Sequence, residues 1–176
     1  YLVQDLNLVS QLEYEMQPLL KEPVRLSKLL RSYAADLLNA GIPEKCSLEM
    51  EISKDAETVV IECDARLISR AINNLVQNSI NHNPQGCTIS LGLIRSDTAI
   101  FLTVADNGVG LSAEKLRELE EKPHYMESTD ERLDLRHGLG LLLVMQIVKA
   151  HGGTTEIESA PQNGYKTVLT FQIAIM

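Results

Sequence analysis

The segment "GLGLLLVMQIVKAHGG", Gly138 to Gly153, constrains the fold most. It reads as a helix that is apolar on nearly every side. Such a helix cannot lie on a surface with one face in water; it must be buried by other elements. A chain of 176 residues is long enough for one domain with a core of that kind. With two Phe and no Trp, that core has to be aliphatic.

The rest of the chain supplies the cover. "CTISLGLI" and "AIFLTVAD" alternate apolar and polar residues and read as strands joined by a turn at "RSDT". "CSLEMEIS" reads as a further strand, and "TVVIECD" as a short buried one. The end, "TTEIESAPQNGYKTVLTFQIAI", reads as two strands joined at Asn163-Gly164. Residues 25–41 carry Leu26, Leu29, Leu30, Tyr33, Ala34, Leu37 and Leu38 on one helical face, with Gly41 as the stop. Another helix starts at Asp64, a good N-cap, and ends before Pro84. Prolines in "YEMQPLLKEPV" keep that stretch away from the centre of a sheet. Residues 1–13 repeat Leu2, Leu6, Val9 and Leu12, like the tail of a longer helix whose partner lies elsewhere. "LSAEKLRELEE" is a polar helix, and residues 122–137 have no clean period and read as a mobile loop. The pattern predicts one mixed α/β sheet with helices on one face.

Charge and cysteines narrow the function classes. A net charge of −8 argues against a nucleic-acid-binding surface. Cys46, Cys63 and Cys87 lack C-x-x-C spacing, which fits structural thiols in a reducing compartment better than a disulfide framework or a zinc site. No apolar run approaches the length of a membrane span.

Three motifs carry chemistry. In "NNLVQNSINHNP", Asn74, Asn78 and Asn81 are spaced i, i+4, i+7 and share one stripe of the helix. Two readings are open. Asn81 and Asn83 could be C-terminal caps with the other amides in water, or the stripe could face a hard cation or a polar ligand. "ADNGVGLS" directly follows a strand. Asp106 can accept a hydrogen bond from an exocyclic amine, while Gly108 and Gly110 allow close backbone approach. "HGLGLLL" sets Gly138 and Gly140 at the start of the buried helix, where free N–H groups attract anions. Neither glycine motif matches a P-loop or a full dinucleotide fingerprint.

In that order the three motifs resemble the N, G1 and G2 boxes of the GHKL ATPase superfamily. The closest resemblance is to the catalytic ATP-binding domain of bacterial sensor histidine kinases, enzymes of two-component signal transduction. It implies an α/β two-layer sandwich, the Bergerat fold. It also implies that residues 1–13 end a dimerisation helix, that 14–176 form the catalytic domain, and that an ATP lid covers about 111–137. By the same resemblance, Asn78 would give its oxygen to Mg²⁺ on the ATP phosphates, with Asn74 and Asn81 beside it. His82 would pack near adenine, and Asp106 would accept from the adenine amino group, with Gly108 and Gly110 shaping its pocket. His137, Gly138 and Gly140 would meet the phosphates, and Leu139 and Leu141 would anchor the helix below. ATP and Mg²⁺ are the implied cofactors. The implied partners are the protein's own dimerisation domain and a cognate response regulator, with the parent a homodimer and nucleic acid no partner. The domain would be cytoplasmic and the parent a cell-membrane sensor.

The sequence departs from the family in four places. Asn81 stands where many relatives have a basic residue, and Arg136 where the G2 box usually begins with Gly. The lid lacks a Phe-rich pattern. None of the four histidines sits in an H-E/D-x-x-x-P context, so no catalytic residue is assigned within the chain and the acceptor is expected on a dimerisation helix. His124 and His151 read as solvated surface residues. An anti-sigma-like serine kinase, or an interaction module that keeps the fold without catalysis, are the alternatives.

Overall fold

The computed structural model describes residues 2–13, 18–121 and 134–174. Five strands form one sheet: β2 (Ser47–Ile52), β4 (Thr88–Arg95), β5 (Ala99–Asp106), β7 (Tyr165–Gln172) and β6 (Thr154–Ser159), in that spatial order. β2 runs parallel to β4 and every other neighbour is antiparallel. β1 (Glu22–Arg25) and β3 (Val60–Cys63) form a separate antiparallel ribbon. The expected mixed sheet packed by helices is the five-stranded one, and the ribbon stands apart from it. Pro23 has no N–H for a ladder, and a two-stranded ribbon leaves it on an edge. β3 is also only half buried: Ile61 and Cys63 face the core, while Val60 and Glu62 face water.

The helices are α1 (Leu2–Glu13), α2 (Leu26–Ala40), α3 (Ala65–His82), α4 (Ala113–Glu121) and α5 (Asp134–Ala150). α3 begins as read from the sequence. Asp64 accepts from the N–H groups of Arg66 at 3.2 Å and Leu67 at 3.4 Å. α2 ends on Gly41, whose φ of 97° suits glycine and whose N–H donates to the Leu37 carbonyl. Ile89, Leu91 and Leu93 of β4, Leu102 and Val104 of β5, and Leu169 and Phe171 of β7 share the inner face of the sheet. Ile68, Ile72 and Leu75 of α3 and Leu143, Ile147 and Val148 of α5 complete the core.

α5 is apolar all round because α3 packs along it and two further sides are covered. The sheet lies under it, and α1 packs against it as well. Val9 and Leu12 of α1 are 3% and 6% exposed and belong to the same core. Arg70 of α3 pairs with Asp5. Val9 and Leu12 of the apolar stripe of residues 1–13 therefore have a partner within the chain.

Candidate functional site

α3 and α5 run antiparallel, so the chain from Asn74 to His82 lies beside the first turns of α5. Contacts at both ends fix that direction: His151 after α5 meets Asp64 before α3, and Asn74 meets Gly140. The Asn74 amide donates to the Gly140 carbonyl at 3.4 Å. Asn78 faces the same glycine; a Cβ built on Gly140 would lie 3.7 Å from its Oδ1. Asn74 and Asn78 are thus brought together as the spacing predicts. Leu141, the residue after Gly140, is buried in the core. Asn81 is exposed, and His82 is half buried. Asn73, on the far side of α3, accepts from the Tyr33 hydroxyl at 3.0 Å, and burial pushes that phenol above its ordinary pKa.

α5 starts four residues before Gly138. His137, Gly138 and Gly140 lie past its first residues, where backbone N–H groups turn to the helix's own carbonyls. The expected start at Gly138 is therefore moved back to Asp134. The side chains of His137 and Leu139 lie outside the described residues, as do His124 and the lid segment 122–133. The remainder of the lid region, 111–121, is the loop after β5 followed by α4.

Asp106 ends β5 at the middle of the sheet and is 9% exposed. Its Oδ1 accepts from the Gly108 N–H at 2.9 Å, a turn that leaves its second oxygen for another donor. The Asp106–Gly110 loop is held from three directions. Asn107 accepts from the Thr88 N–H at 2.8 Å. Asn83 accepts from the Val109 N–H at 2.9 Å and donates to the Ser79 carbonyl at 2.8 Å. From the β6–β7 turn, Gly164 and Gln162 donate to the carbonyls of Gly108 and Val109, and the Ser159 hydroxyl accepts from the Leu111 N–H at 2.8 Å.

These packings explain the glycines. A Cβ on Gly108 would fall 1.8 Å from Asn83 Oδ1, and one on Gly110 would fall 2.0 Å from the Ala160 carbonyl oxygen. Gly164 was read only as a hairpin residue, yet a Cβ there would sit 1.9 Å from the Asp106 carbonyl oxygen.

Three residues escaped the sequence reading. For Asn83, capping is one of the two readings left open by the sequence. It does end α3, but its buried side chain also joins the helix to the Asp106 loop. Thr167 lies on the same face of β7 as Asp106 does on β5, fully buried, with its hydroxyl beside that of Tyr165. A threonine at a core-facing register position was the available signal. His151 is not a solvated residue. It is half buried, its Nε2 accepts from the Asp64 N–H at 3.0 Å, and its Nδ1 lies 2.7 Å from the Ile147 carbonyl. Those partners require the neutral ring with the proton on Nδ1. Burial holds its pKa below the ordinary value. Asp64 is 1% exposed; burial pushes its carboxyl up, but the N–H groups of Leu20 and Leu67 and the Arg66 side chain outweigh it and hold it low.

The donor set fits a nucleotide and a hard cation. An amide oxygen at Asn78 suits a cation that takes most of its other ligands from phosphates and water. The second carboxylate oxygen of Asp106 and the hydroxyl of Thr167 suit the edge of a base. Among the described residues no cluster of three His, Cys, Asp or Glu could hold a metal by itself, and no helix is long and apolar enough to cross a membrane.

Residues 63–175 match the family model described as histidine kinase-, DNA gyrase B-, and HSP90-like ATPase. A probable sensor histidine kinase of Mycobacterium tuberculosis, TcrY, is 32% identical over 160 residues, 91% of this chain and 33% of that protein. The sensor histidine kinase YvrG of Bacillus subtilis is 27% identical over 96% of this chain and 28% of its own length. The chain thus spans about a third of the length of the curated relatives it matches. The solved catalytic domain of histidine kinase ThkA superposes with a TM-score of 0.70 at 21% identity, over 87% of this chain and 95% of that one. This likeness extends the match in fold.

Proposed function

The chain belongs to the histidine kinase-, DNA gyrase B- and HSP90-like ATPase family, and on that premise we propose that it is the nucleotide-binding part of a sensor kinase, which presents the γ-phosphate of ATP to a histidine of a dimerisation domain. The observation that carries this reading is the convergence of Asn74 and Asn78 on Gly140, on the helix that Asn83 ties to the Asp106 loop. Relatives that match nearly the whole chain bear the name sensor histidine kinase, which supports the choice of acceptor. A response regulator as second partner, a homodimeric parent and a membrane-anchored sensor follow from the same reading.

Each residue has one task. Asp106 accepts from the exocyclic amine of adenine with the oxygen that Gly108 leaves free. Thr167 completes the base edge with its hydroxyl. Asn78 and Asn74 stand at the phosphate end, and Asn78 would hold Mg²⁺ through Oδ1. When bound, that cation would neutralise charge on the phosphate oxygens. Asn83 and the β6–β7 turn keep the base-reading loop in place before the ligand arrives, so less ordering is needed on binding.

Calorimetric titration of ADP and a non-hydrolysable ATP analogue, with Mg²⁺ and with EDTA, tests the proposal. Binding that weakens without Mg²⁺, and an Asn78→Ala variant that is folded but insensitive to Mg²⁺, are expected. Unchanged Mg²⁺-dependent affinity in that variant would remove Asn78 from the metal site. Absence of binding under both conditions would overturn the nucleotide reading.

A further inference from the structure

Cys46 and Cys87 stand opposite each other at the mouth of the parallel β2–β4 pair. One residue later, Ser47 pairs with Thr88 in register, and their hydroxyls lie 2.9 Å apart. One residue earlier, Gly86 is packed on Lys45; a Cβ on Gly86 would fall 2.2 Å from the Lys45 carbonyl oxygen. The two thiols are bracketed by these contacts, each one residue before its strand, and the Ser47 N–H donates to the Cys87 carbonyl at 3.0 Å; paired strands lie about 4.8 Å apart. That spacing falls within the range of roughly 4.4–6.8 Å between Cα atoms that a disulfide spans. Both side chains turn to the inner face, opposite to Ser47 and Thr88. Cys87 is buried in the core, and Cys46 packs against that core and is half exposed.

We propose that Cys46 and Cys87 form a redox-active dithiol, which low-molecular-weight disulfides oxidise to an intramolecular Cys46–Cys87 disulfide. The half-exposed Cys46 thiolate attacks one sulfur of the external disulfide, forms a mixed disulfide and releases the first thiol. Cys87 then loses its proton to solvent and attacks the Cys46 sulfur, which releases the second thiol. Two protein thiols are oxidised and one external disulfide is reduced to two thiols. Burial, and after it the Cys46 thiol and Asp106, push the Cys87 thiol up to about 11, which makes Cys87 the slower, resolving partner.

The site adjoins the loop that ends β5. The Cys87 thiol points at the Ser79 carbonyl at 3.8 Å, and Asn83 donates to the same carbonyl while it holds Val109. Oxidation withdraws the thiol from that carbonyl. The proposal does not depend on what the loop binds.

The test is mass spectrometry of the reduced protein after incubation with excess oxidised glutathione at mildly alkaline pH. The expected product has lost two hydrogens, carries no glutathione, and yields a peptide that joins Cys46 to Cys87 after digestion without reductant. Cys63→Ser should give the same product, and Cys87→Ser should stop at a glutathione adduct on Cys46. A wild-type protein that keeps three free thiols, keeps glutathione on Cys46, or links Cys63 instead would overturn the proposal. The wild-type mapping decides alone if a variant fails to fold.

Discussion

The Asn83 side chain accepts the N–H of Val109, 26 residues further along the chain, while its own amide donates to Ser79 in the last turns of α3. One buried amide therefore ties the helix that carries Asn74 and Asn78 to the loop that carries Asp106. Asn83→Ala leaves the Val109 N–H without that acceptor. We expect a loss of about 0.5–1.5 kcal/mol in urea unfolding, the usual net contribution of a hydrogen bond, because Val109 itself is 47% exposed. ADP affinity should fall with it. A variant as stable as the parent would mean that the tie is dispensable.

Asp106→Asn separates recognition from scaffolding. The variant keeps an oxygen for the Gly108 N–H, so its thermal midpoint should stay close to that of the parent. The free carboxylate oxygen becomes an amide group that donates where adenine also donates. A hydrogen bond to a charged group contributes roughly 1.5–3 kcal/mol, so ADP affinity should drop about tenfold to a hundredfold in calorimetry. Full affinity would exclude Asp106 as the base reader.

Gly164→Ala probes the support from the β6–β7 turn. Its φ is 76°, and the new Cβ would lie 1.9 Å from the Asp106 carbonyl oxygen. The left-handed backbone alone costs roughly 1–2 kcal/mol for alanine, and the contact adds to it. Chemical denaturation should show a loss of at least that size. An unchanged midpoint would show that the turn can back away from Asp106 at no cost.

His151 predicts a pH dependence. Its folded pKa lies below the ordinary 6.5, chiefly because of burial. The unfolded chain therefore binds a proton more readily, and stability rises with pH in that window. The contribution is complete above pH 6.5 and is lost as pH falls from there through the depressed folded pKa. Protonation of Nε2 would also set an N–H against the Asp64 N–H that it now accepts. The groups facing it are Asp64, Lys21 and the Ile147 carbonyl. Urea midpoints measured from neutral pH into the acid range should decline more steeply for the parent than for His151→Gln. Parallel curves would remove His151 as the cause.

Much of this architecture was legible locally. The caps at Asp64 and Gly41, the alternation of β4 and β5, and the spacing of Asn74 and Asn78 are short-range signals with a direct physical meaning. What was not legible depends on partners distant in sequence. Asn83 looked like a cap because its reach to Val109 requires the fold. His151 looked solvated because nothing near it announces Asp64, 87 residues away. The early start of α5 was hidden because glycine is a poor helix former, yet a packed helix tolerates it. Val9 and Leu12 carried a correct apolar stripe, but a stripe does not say which surface will cover it.

The support of the Asp106 loop by residues 159–164 sets an order of events during synthesis. The strand that carries Asp106 leaves the ribosome well before the turn that braces it. Until β7 pairs along β5, the loop lacks its bonds to Gln162 and Gly164. A nascent chain thus has its amide-bearing helix and its carboxylate early, but braces the loop between them only once β7 has been made, when nearly the whole domain is available to fold as a unit.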